Sequence, residues 1–592
     1  MMKTLKLAVL LIISINFSLF SQSWIRINQL GYTDNSIKVA VLVSKENINP
    51  QTFEIYRLSD NELVWKGKKI TAYGKFASFN STFRLNFSDF KNEGKYYLKS
   101  VGVNSPSFRI SNKVYEGTAD FLLNYMREQQ CGYNPFLKDS CHTHDGFIVD
   151  NPEKENLHIN AVGGWHDASD YLQYVTTSAT ATYQMLFAYM KYPNSFEDEY
   201  DKNGDPGSNG IPDILDEAKW GLDWLLKLNP KYGELYNQVA DDRDHIGFRL
   251  PDRDSANYDG PDLQRPVYYI TGKPQGICKY KNRTTGVSSA AGKFASAFAL
   301  GSVLLQQYYP EFCKTVKQKA AEAYSFGKTD LGVTQTASCK SPYFYEEDNY
   351  VDDMELAAAQ LFNVDDDNNY LKEAVEWGKL EPVTPWMGAD TAWHYQWYPF
   401  INLGHYLLAE DNSNNLSTVF TNYMRQGLSR IYNRGKTNPF LIGVPFIWCS
   451  NNLVSAALIQ CRLYNEISND SSFLEMETAL RDWLLGCNIW GTSMIIGLPP
   501  NGDYPSDPHS SIYLITHRQI IGGLVDGPIY NSIFNQLKGL KIVNGDEYSE
   551  FQSDIAVYHD DYGDYSTNEP TMDGTAALII YFSALEKMGK SK

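Results

Sequence analysis

Apolar positions along the chain follow two different periods. Between residue 24 and about residue 110, short runs stand at Ile37–Val43, Thr52–Arg57, Leu63–Lys66, Thr82–Phe87, Tyr96–Leu98 and Ser107–Ile110, separated by Asn, Asp, Gly, Ser or Pro. Runs of that length at about ten-residue spacing predict the strands of a small β-sandwich. From about residue 113 the period lengthens. Within 212–228, Ile214, Leu215, Ala218, Leu222, Leu225 and Leu226 fall on one helical stripe, and Pro212 suits a first helical turn. Similar stripes recur at about 114–129, 172–190, 290–308, 314–326, 351–362, 367–378, 400–409, 416–432, 452–465, 473–486 and 572–588. About twelve helices fit six helical hairpins in a ring, although the pattern alone does not establish closure. The connections are long and rich in aromatic residues, and long connections in a compact domain usually carry function.

Ahead of both regimes lies a third pattern. Lys3 and Lys6 precede the apolar run Leu7–Ile13, and polar Ser21, Gln22 and Ser23 follow. This is the order of a secretory leader, with cleavage expected near Ser21–Gln22. The apolar run is too short to span a bilayer, and no Cys lies near the cleavage point to carry a lipid anchor. The expected organisation is a leader at 1–21, a sandwich at 22–111 and a helical domain at 112–592. The mature protein is expected in the periplasm or outside the cell, without a membrane span, as a monomer.

Charge narrows the partners. The chain carries 52 Lys+Arg against 70 Asp+Glu, a net charge of −18, which repels nucleic acid and anionic lipid. A neutral polymer meets no such barrier. Aromatic residues make up 14% of the chain, which suits stacking on sugar faces but equally suits a large helical core. Of the eight Cys, Cys449, Cys461 and Cys487 sit in apolar settings and read as packed thiols. Export permits disulfides, but spacing does not reveal their pairing.

Two acidic clusters carry the candidate chemistry. One is Gly163-Gly164-Trp165-His166-Asp167-Ala168-Ser169-Asp170-Tyr171, and the other runs from His559-Asp560-Asp561 through Asp564 to Asn568-Glu569-Pro570. Cleaving a glycoside needs two carboxyl groups in different protonation states, one to protonate the leaving oxygen and one to activate water. Negative neighbours and burial raise a carboxyl pKa, so Asp560, Asp561 and Asp564 are candidates to keep Glu569 protonated. A competing reading makes Asp170 the N-cap of the 172–190 helix and Asp573 the cap of the last one.

Four ordered motifs add a resemblance that covers essentially the whole mature chain. Gly164-Trp165-His166-Asp167-Ala168-Ser169-Asp170-Tyr171 resembles the G-W-x-D-A-G-D-Y of glycoside hydrolase family 9, with Ser169 in place of Gly. Asn209-Gly210-Ile211-Pro212-Asp213-Ile214-Leu215-Asp216-Glu217 resembles its N-G-I-P-D-L-L-D-E, and Asp560-Asp561 through Asn568-Glu569 resembles its terminal D-D-x-x-D-Y-x-x-N-E. Trp24 to Tyr32 resembles the opening strand of the immunoglobulin-like domain that precedes some members. The resemblance implies an immunoglobulin-like sandwich before an (α/α)6 barrel, and an inverting endo-β-1,4-glucanase acting on cellulose or a related β-glucan. Asp170 is then the base, Asp167 a second grip on the water, and Glu569 the acid. No cofactor is required for that chemistry.

Some positions depart from the family pattern. The usual Pro-His-His-Arg run reads Pro508-His509-Ser510-Ser511 here, and His517-Arg518 follows eight residues later, so either His509 or His517-Arg518 takes the sugar-contacting role. Asp560, Trp397 and Trp448 complete the expected sugar-binding set, with Trp393 and Tyr398 as weaker aromatic candidates. Cys131, Cys141 and His142 resemble three ligands of a zinc site found in some members; His144, His158 and His166 are candidates for the fourth, and a Cys131–Cys141 disulfide is the alternative. Asp201-Lys202-Asn203-Gly204-Asp205 has the oxygen spacing that opens a calcium loop, but Pro212 stands at its twelfth position. The family's later A-G-E calcium segment reads Ala291-Gly292-Lys293, and Lys cannot be a ligand. Rival readings are a xyloglucan-directed enzyme, an exo-acting glucosidase or glucosaminidase, and a catalytically silent glycan-binding protein.

Overall fold

The computed structural model describes residues 22–342, 344–410 and 416–590. The leader expected at 1–21 lies outside them. Nine strands come first: β1 (Ser23–Arg26), β2 (Val39–Ser44), β3 (Phe53–Arg57), β4 (Leu63–Gly67), β5 (Ile70–Ala72), β6 (Ser81–Asn86), β7 (Gly94–Ser100), β8 (Val103–Asn104) and β9 (Phe108–Ile110). They form two antiparallel sheets, ordered β1-β2-β6-β5 and β4-β3-β7-β8, with β9 on β7. Ile25, Leu42, Ile55, Leu85, Leu98 and Phe108 fill the space between them.

β2 is buried along its whole length, and its two faces enter different cores. Ala40 and Leu42 point into the sandwich, while Val41 and Val43 join the core of the helical domain. Polar groups fix the same junction: Asn28 Nδ2 donates to Asp482 Oδ1 at 2.8 Å, and Arg84 pairs with Glu475 at 2.9 Å. β2 therefore lacks the polar alternation of a strand that faces water on one side.

Beyond Ile110 the described chain is mainly helical. The helices of eight residues or more are α1 (Thr118–Glu128), α2 (Val175–Lys191), α3 (Asp213–Leu228), α4 (Ser288–Leu304), α5 (Pro310–Gly327), α6 (Val351–Asp365), α7 (Asn368–Leu380), α8 (Leu403–Glu410), α9 (Leu416–Gly435), α10 (Ser450–Ser468), α11 (Leu474–Leu484) and α12 (Met572–Lys590). The even-numbered helices each touch the next, and α12 returns to α2, so they close a ring. The odd-numbered helices pack outside it. Position in the ring explains the sequence patterns. Outer α5 buries a stripe of Cys313, Val316, Ala320, Ala323 and Tyr324, whereas inner α4 is buried on nearly every side and is built from small and apolar residues.

Short strands fasten the connections. β10 (Gly132–Asn134) pairs with β11 (Asp139–Cys141). β12 (Phe147–Val149), β13 (Gln173–Tyr174), β14 (Tyr236–Val239) and β15 (Pro266–Tyr269) form a sheet ordered β12-β15-β14-β13. β16 (Leu524–Val525) pairs with β17 (Pro570–Thr571), next to the acidic segment that ends at Glu569. A disulfide joins Cys278 to Cys339, whereas Cys449, Cys461 and Cys487 are buried free thiols. No helix among the described residues is long and apolar enough to cross a membrane.

Candidate active site

Both acidic clusters lie in connections that enter inner helices, one before α2 and the other before α12. In the first, Gly163 and Gly164 take φ values of +116° and +71°. A Cβ on Gly164 would stand 2.7 Å from the Trp224 ring, so the turn requires glycine there. Trp165 is buried and donates its indole N–H to Glu217 at 2.6 Å. The Asp167 N–H then closes on the Leu172 carbonyl at 2.9 Å, which places Ala168, Ser169 and Asp170 at the tip of the turn.

Asp170 caps no helix. α2 begins at Val175, and Tyr174 precedes it without a side-chain cap. Instead Asp170 Oδ1 accepts the Leu172 N–H at 3.1 Å, and Oδ2 faces His245 Nε2 at 3.3 Å. Asp167 is buried. Its Oδ1 accepts the Thr177 hydroxyl at 2.6 Å, and its Oδ2 accepts the Tyr345 hydroxyl. Burial, followed by Asp573 and Asp170, pushes the Asp167 carboxyl well above the usual carboxylate range. Asp573 lies inside the first turn of α12 and accepts the Tyr395 hydroxyl at 2.8 Å.

The second cluster spends most of its carboxylates on its own loop. Asp561 accepts backbone N–H groups from Val543, Asn544 and Gly563. Asp564 accepts the N–H and hydroxyl of Ser566 and Thr567, and the His559 ring at 2.7 Å. Asp560 holds the N–H groups of Ser506 and Asp507 at 2.7 and 3.0 Å and the Asn568 amide at 3.0 Å. Asp560 thus shapes the strand of chain that carries His509. Glu569 remains. Its Oε1 accepts the Ser169 N–H at 3.0 Å and the Ser169 hydroxyl, a contact across 400 positions of sequence. Burial raises the Glu569 pKa above the ordinary value and Asp170 adds to it, while His509 and the two Ser169 donors oppose. The negative neighbour that matters most comes from the other cluster. The expectation that Asp560, Asp561 and Asp564 do this work is corrected accordingly.

The histidine alternatives separate in space. His509 donates its N–H to the Asn568 carbonyl at 3.1 Å, and its ring lies 4.9 Å from Phe248 and 6.1 Å from Tyr565. His517 and Arg518 are exposed. Arg518 lies over the Phe136 ring at 3.9 Å and donates to the Phe136 carbonyl. Trp448 is half-buried, stacked on Tyr565 at 5.7 Å and tilted against His394 at 5.4 Å. Trp397 packs half-buried against the helical core, Tyr398 is buried, and exposed Trp393 lies under the Arg283 guanidinium at 4.1 Å.

Three residues at the carboxyl pair escape a reading of the sequence alone: the roles of His245, Tyr345 and Ser169 appear only in space. His245 stacks on Phe344. Burial disfavours its charge, but Asp170, Asp244 and Glu569 outweigh this and push its pKa up to about 9. Its side chain is 45% exposed, so solvent screens part of that effect. The run Asp241-Asp242-Arg243-Asp244 just before it was the available signal.

A Cys/His cluster adjoins the same turn, where the His166 ring lies 4.8 Å from that of Tyr171. Cys131, Cys141, His142 and His166 offer ligand atoms that all lie within 4.8 Å of one another. Cys131 and Cys141 are free thiols, which removes the disulfide alternative. Burial opposes ionisation of Cys131, but Cys141, His166, Arg265 and His142 together hold its pKa well below the usual thiol value. Two soft sulfur donors and two imidazoles suit tetrahedral Zn²⁺. His166 completes the set, while His144 is exposed and His158 faces Gln264. His142 Nδ1 faces the cluster and its Nε2 meets Asp254 Oδ2 at 3.0 Å, the arrangement that orients a metal-bound imidazole. Asp254 also accepts from Arg249 at 2.5 Å, Arg249 reaches Asp244 at 2.5 Å, and Asp244 accepts the Tyr171 N–H at 2.9 Å.

Other candidate ion sites do not fit. Asp241, Asp242 and Cys339 lie close together, but the Cys339 sulfur is committed to the disulfide. Asp201 Oδ1 accepts the Asn203 and Asp205 N–H groups, which closes a self-contained turn rather than a calcium loop. Lys293 Nζ lies between Glu347 and Asp353, buried, where its own charge balances the carboxylates.

Known proteins resemble the chain in both its domains. The model of glycosyl hydrolase family 9 matches residues 115–582, and that of the cellulase N-terminal ig-like domain matches residues 21–105. Endoglucanase D of Acetivibrio thermocellus is 24% identical over 513 residues, covering 82% of this chain and 74% of its own. A xyloglucan-specific endo-beta-1,4-glucanase of Bacteroides ovatus is 24% identical over 607 residues, covering 95% of this chain and 94% of its own. Among solved structures, a metagenome-derived family 9 endoglucanase superposes with a TM-score of 0.77 at 24% identity, covering 95% of this chain and 99% of its own. A zinc-binding triple mutant of another family 9 endoglucanase gives a TM-score of 0.76 at 22% identity, with 93% and 99% covered.

Proposed function

The chain belongs to glycosyl hydrolase family 9, and from that premise we propose that it cuts β-1,4-glucosidic bonds within cellulose or a related β-glucan, with inversion at the anomeric carbon. Glu569 is the general acid. It delivers its proton to the glycosidic oxygen as the bond from that oxygen to C1 breaks. Asp170 is the general base. It takes a proton from the water that bonds to C1 from the opposite face. Asp167 gives that water a second hydrogen-bonding partner, held in place by the Thr177 and Tyr345 hydroxyls.

The observation that supports this reading best is the meeting of the two clusters. Glu569 binds Ser169, the residue next to Asp170, although 400 positions separate them. One carboxyl has a raised pKa, and the other stands beside a histidine that favours its own cationic form. The test is NMR of the first-formed sugar on a panel of cellulose, cello-oligosaccharides and xyloglucan, with Glu569→Gln as control. Inversion yields the α-anomer first. A β-anomer at early times would show retention and overturn the assignment, as would full activity of the Gln variant. Xyloglucan is a second substrate reading, supported by the relative whose match spans 95% of the chain. His509, bonded to Asn568 beside Glu569, and Trp448, stacked on Tyr565, are the proposed sugar contacts, with Trp397 as a further platform.

Zinc is the proposed structural ion, held by Cys131, Cys141, His142 and His166. When bound it ties the β10–β11 hairpin to the turn that carries Asp167 and Asp170. Metal analysis of the purified protein tests this, with about one zinc per chain expected from a four-ligand site. We also place the protein in the periplasm or outside the cell. The leader pattern in 1–21 supports this, as does the Cys278–Cys339 disulfide, a bond that persists in oxidising compartments.

A further inference from the structure

Ser169 touches the acid, not the base. Its N–H reaches Glu569 Oε1 at 3.0 Å, and its hydroxyl reaches the same oxygen. Among the described residues Oε2 takes no hydrogen bond. A backbone N–H can only donate, so Oε1 must accept there. With the hydroxyl donating as well, both lone pairs of Oε1 are used, and a proton on that oxygen would have to displace one of the two donors. Oε2 therefore takes the proton of the neutral carboxyl with both donors in place, whereas a proton on Oε1 would require the Ser169 hydroxyl to turn round and accept it. The rest of the residue is fixed independently, because the Glu569 carbonyl accepts the Asp526 N–H at 2.8 Å and β17 begins at the next position.

We propose that Ser169 is a positioning residue for the acid, whose hydroxyl and N–H together direct the Glu569 proton to Oε2 and aim that oxygen at the glycosidic bond. This deepens the assignment of Glu569 as the acid and rests on it. The chemistry balances as before: the proton leaves Oε2 for the leaving oxygen, and the carboxylate that remains is stabilised at Oε1 by the two Ser169 donors. A donor to the ionised form lowers a carboxyl pKa. Ser169 therefore draws Glu569 down from the high value that burial alone would impose, and makes its proton easier to give.

The test is Ser169→Ala, which removes the hydroxyl and keeps the N–H. On a cello-oligosaccharide, kcat should fall about tenfold, the size expected for one lost hydrogen bond to a charged group. The high-pH limb of kcat/KM should move up by about one pH unit for the same reason. On a β-cellobiosyl fluoride the leaving fluoride needs no proton, so the variant should turn over as the wild type does. Equal losses on both substrates would mark a merely structural role and overturn the proposal, as would an unchanged rate and pH profile on the oligosaccharide. Glu569→Gln run in parallel separates the two levels. If it keeps its activity on the oligosaccharide, the acid assignment itself fails; if it loses that activity and retains the fluoride reaction, the outcome for Ser169→Ala judges Ser169 alone.

Discussion

Two walls, the connection into α2 and the connection into α12, hold chemically similar carboxyl groups in opposite ways. On the α2 side, Asp170 stands at the tip of a turn beside His245, whose pKa is raised to about 9. On the α12 side, Glu569 is raised by burial, with its one bonded oxygen held by a neutral serine. The difference teaches that identity of side chain does not decide which group gives a proton and which takes one. Access to water and the charge of the nearest partner decide it. Ser169 and Asp170 are adjacent, so one short turn serves both walls.

The largest expected effect breaks the comparison outright. Asp170→Asn and Glu569→Gln should each cost about 10²–10⁴-fold on a cello-oligosaccharide, the usual worth of a general acid or base. A β-cellobiosyl fluoride should restore most of the loss for Glu569→Gln and none for Asp170→Asn. If both variants recovered, or neither did, the roles assigned to the two walls would be wrong. Tyr345→Phe comes next. It removes the donor to Asp167 Oδ2 and should lower kcat by roughly tenfold on both substrates, because it acts on the water side alone.

A smaller effect is expected from the Cys/His cluster, which adjoins the base wall. Asp254→Asn should weaken zinc binding by about 10- to 100-fold, as read by chelator competition. Unchanged affinity would remove Asp254 from any role in orienting His142. The smallest effect concerns pH and stability. The folded-state pKa of His245 is raised from 6.5 to about 9, so the stability it gains from Asp170 is complete below about pH 6.5 and lost as pH rises through about 9. Melting curves of the wild type and His245→Asn should differ most at low pH within the stable range and converge above pH 9. A gap that instead widened with rising pH would contradict the ion pair.

Much of this was legible in the sequence. The helical stripes from 114 to 588 mark the observed helices to within a few residues at most ends, because inner helices must be apolar and outer helices must carry one apolar face. Six of the nine sandwich strands are legible as short apolar runs, whereas β1 is marked only by the resemblance and the short β5 and β8 by no run. What the sequence hides depends on approach in space. His245 lies 75 positions from Asp170 and Tyr345 lies 178 from Asp167, and no local period links either pair. His517-Arg518 reads as a functional dipeptide, but the helix Ser511–Thr516 stands between it and His509 and ends with His517 at φ +55°, exposed. Asp561 and Asp564 read from their spacing as neighbours that keep Glu569 protonated, yet they hold loop backbone and hydroxyl groups instead. His166 was one of three candidates for the fourth zinc ligand until the turn at Gly163-Gly164 brought its ring to His142 at 3.3 Å.

The closing of the ring has a consequence for timing. α12 touches both α2 and α10, and it is the last described helix. Domains tend to fold as they emerge, N-terminal end first. Here the ring cannot be completed until α12 has been made, and Glu569 lies on the connection that leads into it. Val41 and Val43, which precede the helical domain in sequence, likewise wait for later residues before their face is covered. A chain made only as far as α10 thus holds Asp170 without Glu569, and the carboxyl pair forms only as the ring closes.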